Sequence, residues 1–292
     1  MAPALEQITR HVAATDHADP PASSGGTELA STLVKGLDIL ALLASGETLG
    51  NQQIAQRAGL SKPTASRLCT TLTTLGYLRK DERTRKYAMG ARLLAMGATV
   101  QYRAAFLTSA RPYMDGLARD TGMTVGMGTR ERLGMVCLDV ARSAGTQDET
   151  TGVGSLLPMA ETAMGLAYLS DCTVAERIAL LRQLQLVYDS GWNTVRERIE
   201  QAHAQNLRLG YVIRPPSREA DVNEVAAAIE LPGQFGIVVF NCTTRADGAQ
   251  VTARLHRAGE ALREMLATLA GETDSPLIDL GSCLAVPKMM SP

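Results

Sequence analysis

The sequence predicts an α+β protein in two parts: a small basic module of helices and a short hairpin, then a larger domain mixing helices with strands. Three observations carry this reading. The 292 residues are 45% apolar and 20% charged, which is enough to bury a core, and the chain is about two domains long at roughly 150 residues each. The formal charge is −1, yet nine Lys and Arg face five acids between residues 27 and 90, while both flanks are acidic. Helical apolar spacing gives way beyond Thr121-Gly122 to short β-rich runs.

The near-neutral total excludes a polycation that coats nucleic acid and a polyacidic tail protein. No stretch of about 18 apolar residues occurs, so no membrane span is expected. Residues 1–28 read as a mobile Ala/Pro/Ser/Gly tail without the apolar block of a secretory signal, and 272–292 read as a second tail. Cys69, Cys137, Cys172, Cys242 and Cys283 form no C-x-x-C pair, which fits reduced thiols in a cytoplasm. Of the four histidines, His11 and His17 fall in the first tail, leaving His203 and His256. No metal and no cofactor are expected.

Residues 29–92 read as a winged helix-turn-helix. Leu33, Leu37, Leu40 and Leu43, with Val34 and Ile39, recur at helical spacing and stop near Ser45-Gly46. A short second helix runs from Asn51, its expected cap, to Ala58, and Gly59-Leu60 makes the turn. Ser61 caps a third helix with Pro63 in its first turn, where a missing N–H costs nothing. Along it Ala65, Leu68, Cys69, Leu72 and Leu75 form the stripe expected to be buried. The opposite side carries Pro63, Ser66, Arg67, Thr70 and Thr74. Small side chains permit entry into a major groove, hydroxyls meet phosphates or base edges, and an arginine can grip guanine with two donors. Gly76 ends the helix. Tyr77–Arg79 and Tyr87–Met89 make a hairpin whose tip places Arg83, Arg85 and Lys86 for phosphates or a minor groove. The candidate DNA-binding residues are Lys62, Pro63, Thr64, Ser66, Arg67, Thr70, Arg83, Arg85 and Lys86.

This arrangement resembles the IclR family of bacterial transcription regulators. The resemblance rests on Val34-Lys-Gly-Leu-Asp-Ile-Leu40, Ile54-Ala55 through Ala58-Gly59-Leu60, Ser61-Lys-Pro-Thr-Ala-Ser-Arg-Leu68, Leu75-Gly-Tyr-Leu78 and Tyr87-Ala-Met-Gly-Ala-Arg-Leu-Leu94. It implies sequence-specific binding to an operator as a homodimer or tetramer, a linker of dimerisation helices at 93–121, and a GAF-like effector-binding domain at 122–271.

Beyond the wing, Ala91–Ala98 and Phe106–Asp120 have helical periodicity, with Arg111-Pro112 expected at a bend or helix start. Thr124–Met127 and Gly134–Val140 read as strands, Ala160–Ser170, Val174–Gln185 and Val195–Leu207 as helices. Tyr211–Ile213, Val225–Ile229 and Gly236–Asn241 read as the last strands and Gln250–Leu269 as a closing helix.

The resemblance also implies a small-molecule effector, an organic or aromatic acid, held near the helix start in Gly154–Gly165 and the later strands. The matching positions are Met127, Gly154, Ala160, Glu161, Thr162, Glu224, Val239 and Asn241. Glu161, Glu224 and Val239 depart from the family pattern. A carboxylate at a helix start satisfies its N–H groups and repels an acid. Either Glu161 faces solvent as an ordinary first-turn acid, or the effector is neutral or cationic. Two other readings are a ligand-free dimerisation domain and a cysteine-dependent enzyme using Cys137 or Cys242 with His256. Apolar neighbours such as Met135-Val136 and Val239-Phe240 speak for packed thiols rather than nucleophiles.

Overall fold

The computed structural model describes residues 30–44, 46–103, 105–143, 152–215, 222–231, 236–246, 248 and 250–273. Residues 1–28 and all of the second expected tail beyond Thr273 lie outside this set. Two compact units divide the chain, one ending at Arg103 and the other beginning at Ala104.

The first unit contains α1 (Ser31–Leu43), α2 (Asn51–Arg57), α3 (Lys62–Thr74), β1 (Leu78–Lys80), β2 (Tyr87–Met89) and α4 (Ala91–Arg103). Its core is small: Ile39, Leu43, Leu49, Ile54, Ala55, Ala65, Cys69, Leu78 and Tyr87. Leu49 pairs with Tyr87 through two backbone hydrogen bonds, which ties the start of α2 to the hairpin. Helix α1 buries the side carrying Gly36, Ile39 and Leu43, leaving Leu33 and Leu37 62% and 55% exposed. The expected stripe of α3 is buried only at Ala65 and Cys69, and Leu75 is exposed. Asn51 is not the cap of α2. That position is Gly50, whose N–H donates to Gln53 Oε1 at 2.9 Å.

The second unit opens with α5 (Ala105–Thr121), β3 (Thr124–Glu131), β4 (Gly134–Ala141) and β5 (Leu156–Pro158). It continues through α6 (Ala163–Asp171), α7 (Val174–Tyr188), α8 (Trp192–Leu209) and β6 (Val212–Arg214). The last elements are β7 (Asn223–Glu230), β8 (Ile237–Thr244) and α9 (Val251–Thr273). Six strands form one sheet in the order β5-β4-β3-β8-β7-β6, every pair antiparallel.

Alternation along the strands gives each face its own core. Val125, Met127, Val225, Ala227, Val238, Phe240 and Cys242 pack with residues of α5 and α9. Met135, Val212, Ala226 and Val239 pack with α6, α7 and α8. Pro112 lies inside α5 rather than at a bend. Arg254 of α9 closes the C-terminal end of α5, donating from Nη2 to Thr121 O at 2.7 Å and to Gly122 O at 3.0 Å.

Candidate functional site

The DNA-facing candidates are built on α3 and the hairpin. Ser61 Oγ accepts the Thr64 N–H, so the cap read from the sequence is present, and Lys62 and Pro63 open the helix. Lys62, Pro63, Ser66, Arg67 and Thr70 are exposed, and Thr64 is half-buried. Arg67 makes no ion pair among the described residues.

The threonines carry a correction. The hydroxyls of Thr70, Thr71 and Thr74 donate back to the carbonyls of Ser66, Arg67 and Thr70 at 2.9–3.0 Å. Held this way, Thr70 offers lone pairs to a base amino group and no proton to a phosphate.

In the hairpin tip Arg83, Arg85 and Lys86 are all exposed. Asp81 organises the turn: its Oδ1 accepts the Arg83 and Thr84 N–H groups, each at 2.8 Å. Those amides, Thr84 foremost, hold the Asp81 carboxyl below its ordinary value. Arg85 adopts φ 58° and pairs with Glu82 at 3.0 Å, both side chains in solvent. A groove of about 560 Å³ runs between the start of α2 and the hairpin, and Gln52, Gln56, Ser66, Lys80 and Arg85 are among its lining residues. The sequence reading missed Gln52, Gln56 and Lys80. Periodicity marks helix faces, and only the packed hairpin brings Lys80 near Ser66.

The ligand candidates separate. Residues paired across strands share a face. Arg214 pairs with Glu224, Glu224 with Thr243 and Thr243 with Thr124, which sets a row of polar side chains across four strands. The next row is Val212, Ala226, Asn241 and Gly126. All the polar members of these rows are buried, none more than 9% exposed. The Thr124 hydroxyl is buried without a hydrogen-bond partner among the described residues.

This face looks at the start of α6. Thr162 caps that helix, its Oγ1 accepting the Gly165 N–H at 3.2 Å. The Ala163 N–H donates to Glu224 Oε2 at 2.7 Å, and Arg214 Nη1 stands 3.8 Å from the same oxygen. A side chain at Gly126 would run into Asn241 Oδ1, and one at Gly128 would sit 2.6 Å from Met164 Sδ.

Thr162, Glu224, Val239 and Asn241 therefore share the space between sheet and α6, and Ala160 adjoins it, its carbonyl accepting from Arg198 at 3.1 Å. Met127 does not belong with them. It pairs with Phe240 and lies in the core on the opposite face. Gly154 is not at the helix start either; its N–H donates to Cys137 O on β4 at 2.7 Å. Glu161 precedes the cap, half-buried, and accepts the Tyr188 hydroxyl at 3.0 Å, so it is neither a free surface acid nor the group at the α6 N–H donors. Arg214, Thr124 and Thr243 were missed. The available signal was a charged or polar residue inside an otherwise apolar strand, which parity alone could not assign to a face.

A cysteine nucleophile finds no support. Cys137 and Cys242 are 1% and 0% exposed. Burial pushes their thiols up to about 11 and about 12. His256 Nδ1 lies 2.9 Å from the Tyr211 hydroxyl, and His256 is hydrogen-bonded there, not to a thiol.

Fold and sites together describe a winged-helix DNA reader followed by a sheet domain with a buried polar face. Residues 32–82 match the IclR helix-turn-helix domain, and residues 98–264 match the bacterial transcriptional regulator IclR C-terminal domain. The chain belongs to the IclR family of DNA-binding transcriptional regulators. It is 38% identical to the HTH-type transcriptional regulator TsaQ1/TsaQ2 of Comamonas testosteroni over 85% of this chain and 90% of that one. It is 26% identical to the glycerol operon regulatory protein of Streptomyces coelicolor over 86% and 96% of the two chains. An IclR family regulator from Brucella abortus superposes with a TM-score of 0.75 at 30% identity, covering 87% of this chain and 96% of that one. The same fold occurs at 18% identity in an IclR homologue of Microbacterium hydrocarbonoxydans complexed with 4-hydroxybenzoate, with a TM-score of 0.61 and coverage of 81% and 99%.

Proposed function

We propose that this regulator inserts the exposed side of α3 into the major groove, with Arg67 gripping a base and Thr70 accepting from a base amino group. Ser66 contacts the neighbouring backbone. Lys62, Pro63 and Thr64 approach phosphates at the helix start. Arg83, Arg85 and Lys86 hold the phosphates flanking the wing, and the groove carrying Lys80, Gln52 and Gln56 seats a further one. The observation that carries this reading is the bare α3 side: small and polar, with an arginine that no acid neutralises among the described residues.

Two copies act together on half-sites about one helical turn apart. The exposed Leu33 and Leu37 of α1, with Leu94 and Met96 of α4, supply apolar area for pairing of the basic units. Residues 29–92 read DNA, 93–121 link and pair the protomers, and 122–271 bind an effector that alters operator affinity. The effector meets the polar face formed by Thr162, Glu224 and Asn241, near Ala160 and Val239. A small organic molecule is supported by the 4-hydroxybenzoate held on this fold in the Microbacterium protein. The protein works in the cytoplasm and performs no catalysis. Among the described residues no helix is long and apolar enough to cross a membrane.

The test is a pair of variants read against a selected operator and random duplex. Arg67→Ala costs about 1–3 kcal/mol on the operator and relaxes base preference, while Lys86→Ala weakens both duplexes alike. A footprint unchanged by Arg67→Ala contradicts the assignment.

A further inference from the structure

The N-terminal end of α6 is the obvious place in this domain for a ligand anion, because its first N–H groups and the helix dipole favour negative charge. In this chain the place is taken. Glu224 reaches across from β7, and its Oε2 accepts the Ala163 N–H at 2.7 Å. Gly165 N–H, another first-turn donor, is spent on Thr162 Oγ1. Glu224 is 8% exposed and Arg214, its cross-strand neighbour, 6%. The guanidinium lies 3.8 Å from the bonded carboxylate oxygen, so the buried negative charge faces a cation on one side and a helix terminus on the other.

We propose that Glu224 is a tethered anion that closes this seat to acid ligands, with Arg214 as its counter-ion. The inference rests on the reading of this domain as the effector-binding part. It changes what the domain can hold there. A carboxylate placed against Ala163 meets Glu224 at hydrogen-bond distance, and like charges so close in a dry site repel strongly. What the sheet leaves available beside the seat is uncharged: the Thr124 hydroxyl, buried without a partner among the described residues, with Thr243 and the Asn241 amide. The part of an effector that enters this space is therefore an uncharged hydroxyl, carbonyl or amide.

The seat can be emptied and refilled without knowing the effector. Glu224→Ala removes the tethered carboxylate and leaves a space shaped for a small one. Thermal unfolding is followed for wild type, Glu224→Ala and Glu224→Gln in sodium acetate against sodium chloride at equal ionic strength. The expected result is a lower Tm for Glu224→Ala that acetate, but not chloride, raises saturably by a few degrees. Wild type and Glu224→Gln gain nothing specific from acetate. Equal acetate effects on all three proteins, or none on a folded Glu224→Ala, overturn the proposal.

Should Glu224→Ala not fold, the isosteric Glu224→Gln carries the test through the Ala163 amide proton. A charge-assisted bond moves that resonance downfield in wild type, and Glu224→Gln returns it upfield. An amide resonance indifferent to Glu224→Gln also overturns the proposal. Neither readout contains DNA or an effector, so their failure leaves the operator reading standing. Failure of effector-dependent operator release, conversely, leaves the tethered anion standing.

Discussion

Arg67 and Cys242 show two ways in which one residue's surroundings decide its chemistry. Arg67 stays in water on the bare side of α3, so its five donors remain available to a base edge. Cys242 is 0% exposed on the sheet face packed by α5 and α9, and burial alone pushes its thiol from an ordinary value near 9.0 to about 12. A thiol whose folded value is raised favours the folded state fully below about pH 9 and loses that contribution as pH rises towards 12. Chemical denaturation between pH 8 and 11 is expected to show stability falling with pH, and Cys242→Ala to flatten part of the slope. A slope untouched by that variant would mean another group titrates. The sequence identified Arg67 by helical spacing, since the α3 cap and stripe are local features. It could not place Met127, because β3 is buried on both faces from Thr124 to Gly128, so no solvent side marks the alternation.

At the scale of elements, close approach and capping fix the helices around the buried polar face. Gly165 lies in the first turn of α6, and a methyl group there would overlap the Met159 carbonyl and Cα. The helix start can approach the preceding turn only because this residue has no side chain. Gly165→Ala is expected to cost about 1–3 kcal/mol or more, read by urea denaturation, and to loosen the Ala163 to Glu224 contact. An unchanged denaturation midpoint would show that the turn yields.

Arg254 performs the corresponding task for α5, reaching two terminal carbonyls from α9. Arg254→Lys is expected to recover only part of the stability lost in Arg254→Ala, because an ammonium cannot reproduce the planar fork. Full recovery would assign the effect to charge alone. The long elements were readable from the chain within a few residues. Strand β5 was not, being three residues with no alternation to detect, and α5 continues through Pro112 against the local signal for a break.

At the scale of the whole molecule, a chain of net charge −1 holds a basic unit whose cations lie at the start of α3 and along the hairpin. Its affinity for DNA should therefore fall steeply with salt, the slope growing by about 0.9 for each phosphate neutralised. The family was legible because the DNA-reading half depends on local signals: caps, a tight turn, a hairpin and their spacing. The second unit was legible as an α+β class but not as a site. Its polar row assembles from four strands distant in sequence, and Glu224 filling the α6 terminus is a fact of register rather than of motif.

Selection from random duplexes at physiological salt, run in parallel for wild type and Arg67→Ala, addresses the central claim most directly. Wild type should enrich sites with two matching half-sites about one helical turn apart, bound well ahead of random DNA. Arg67→Ala should lose that preference while keeping weak binding. Enrichment of the same sites by Arg67→Ala, or no duplex that outcompetes random DNA for wild type, would contradict the placement of α3 in the groove.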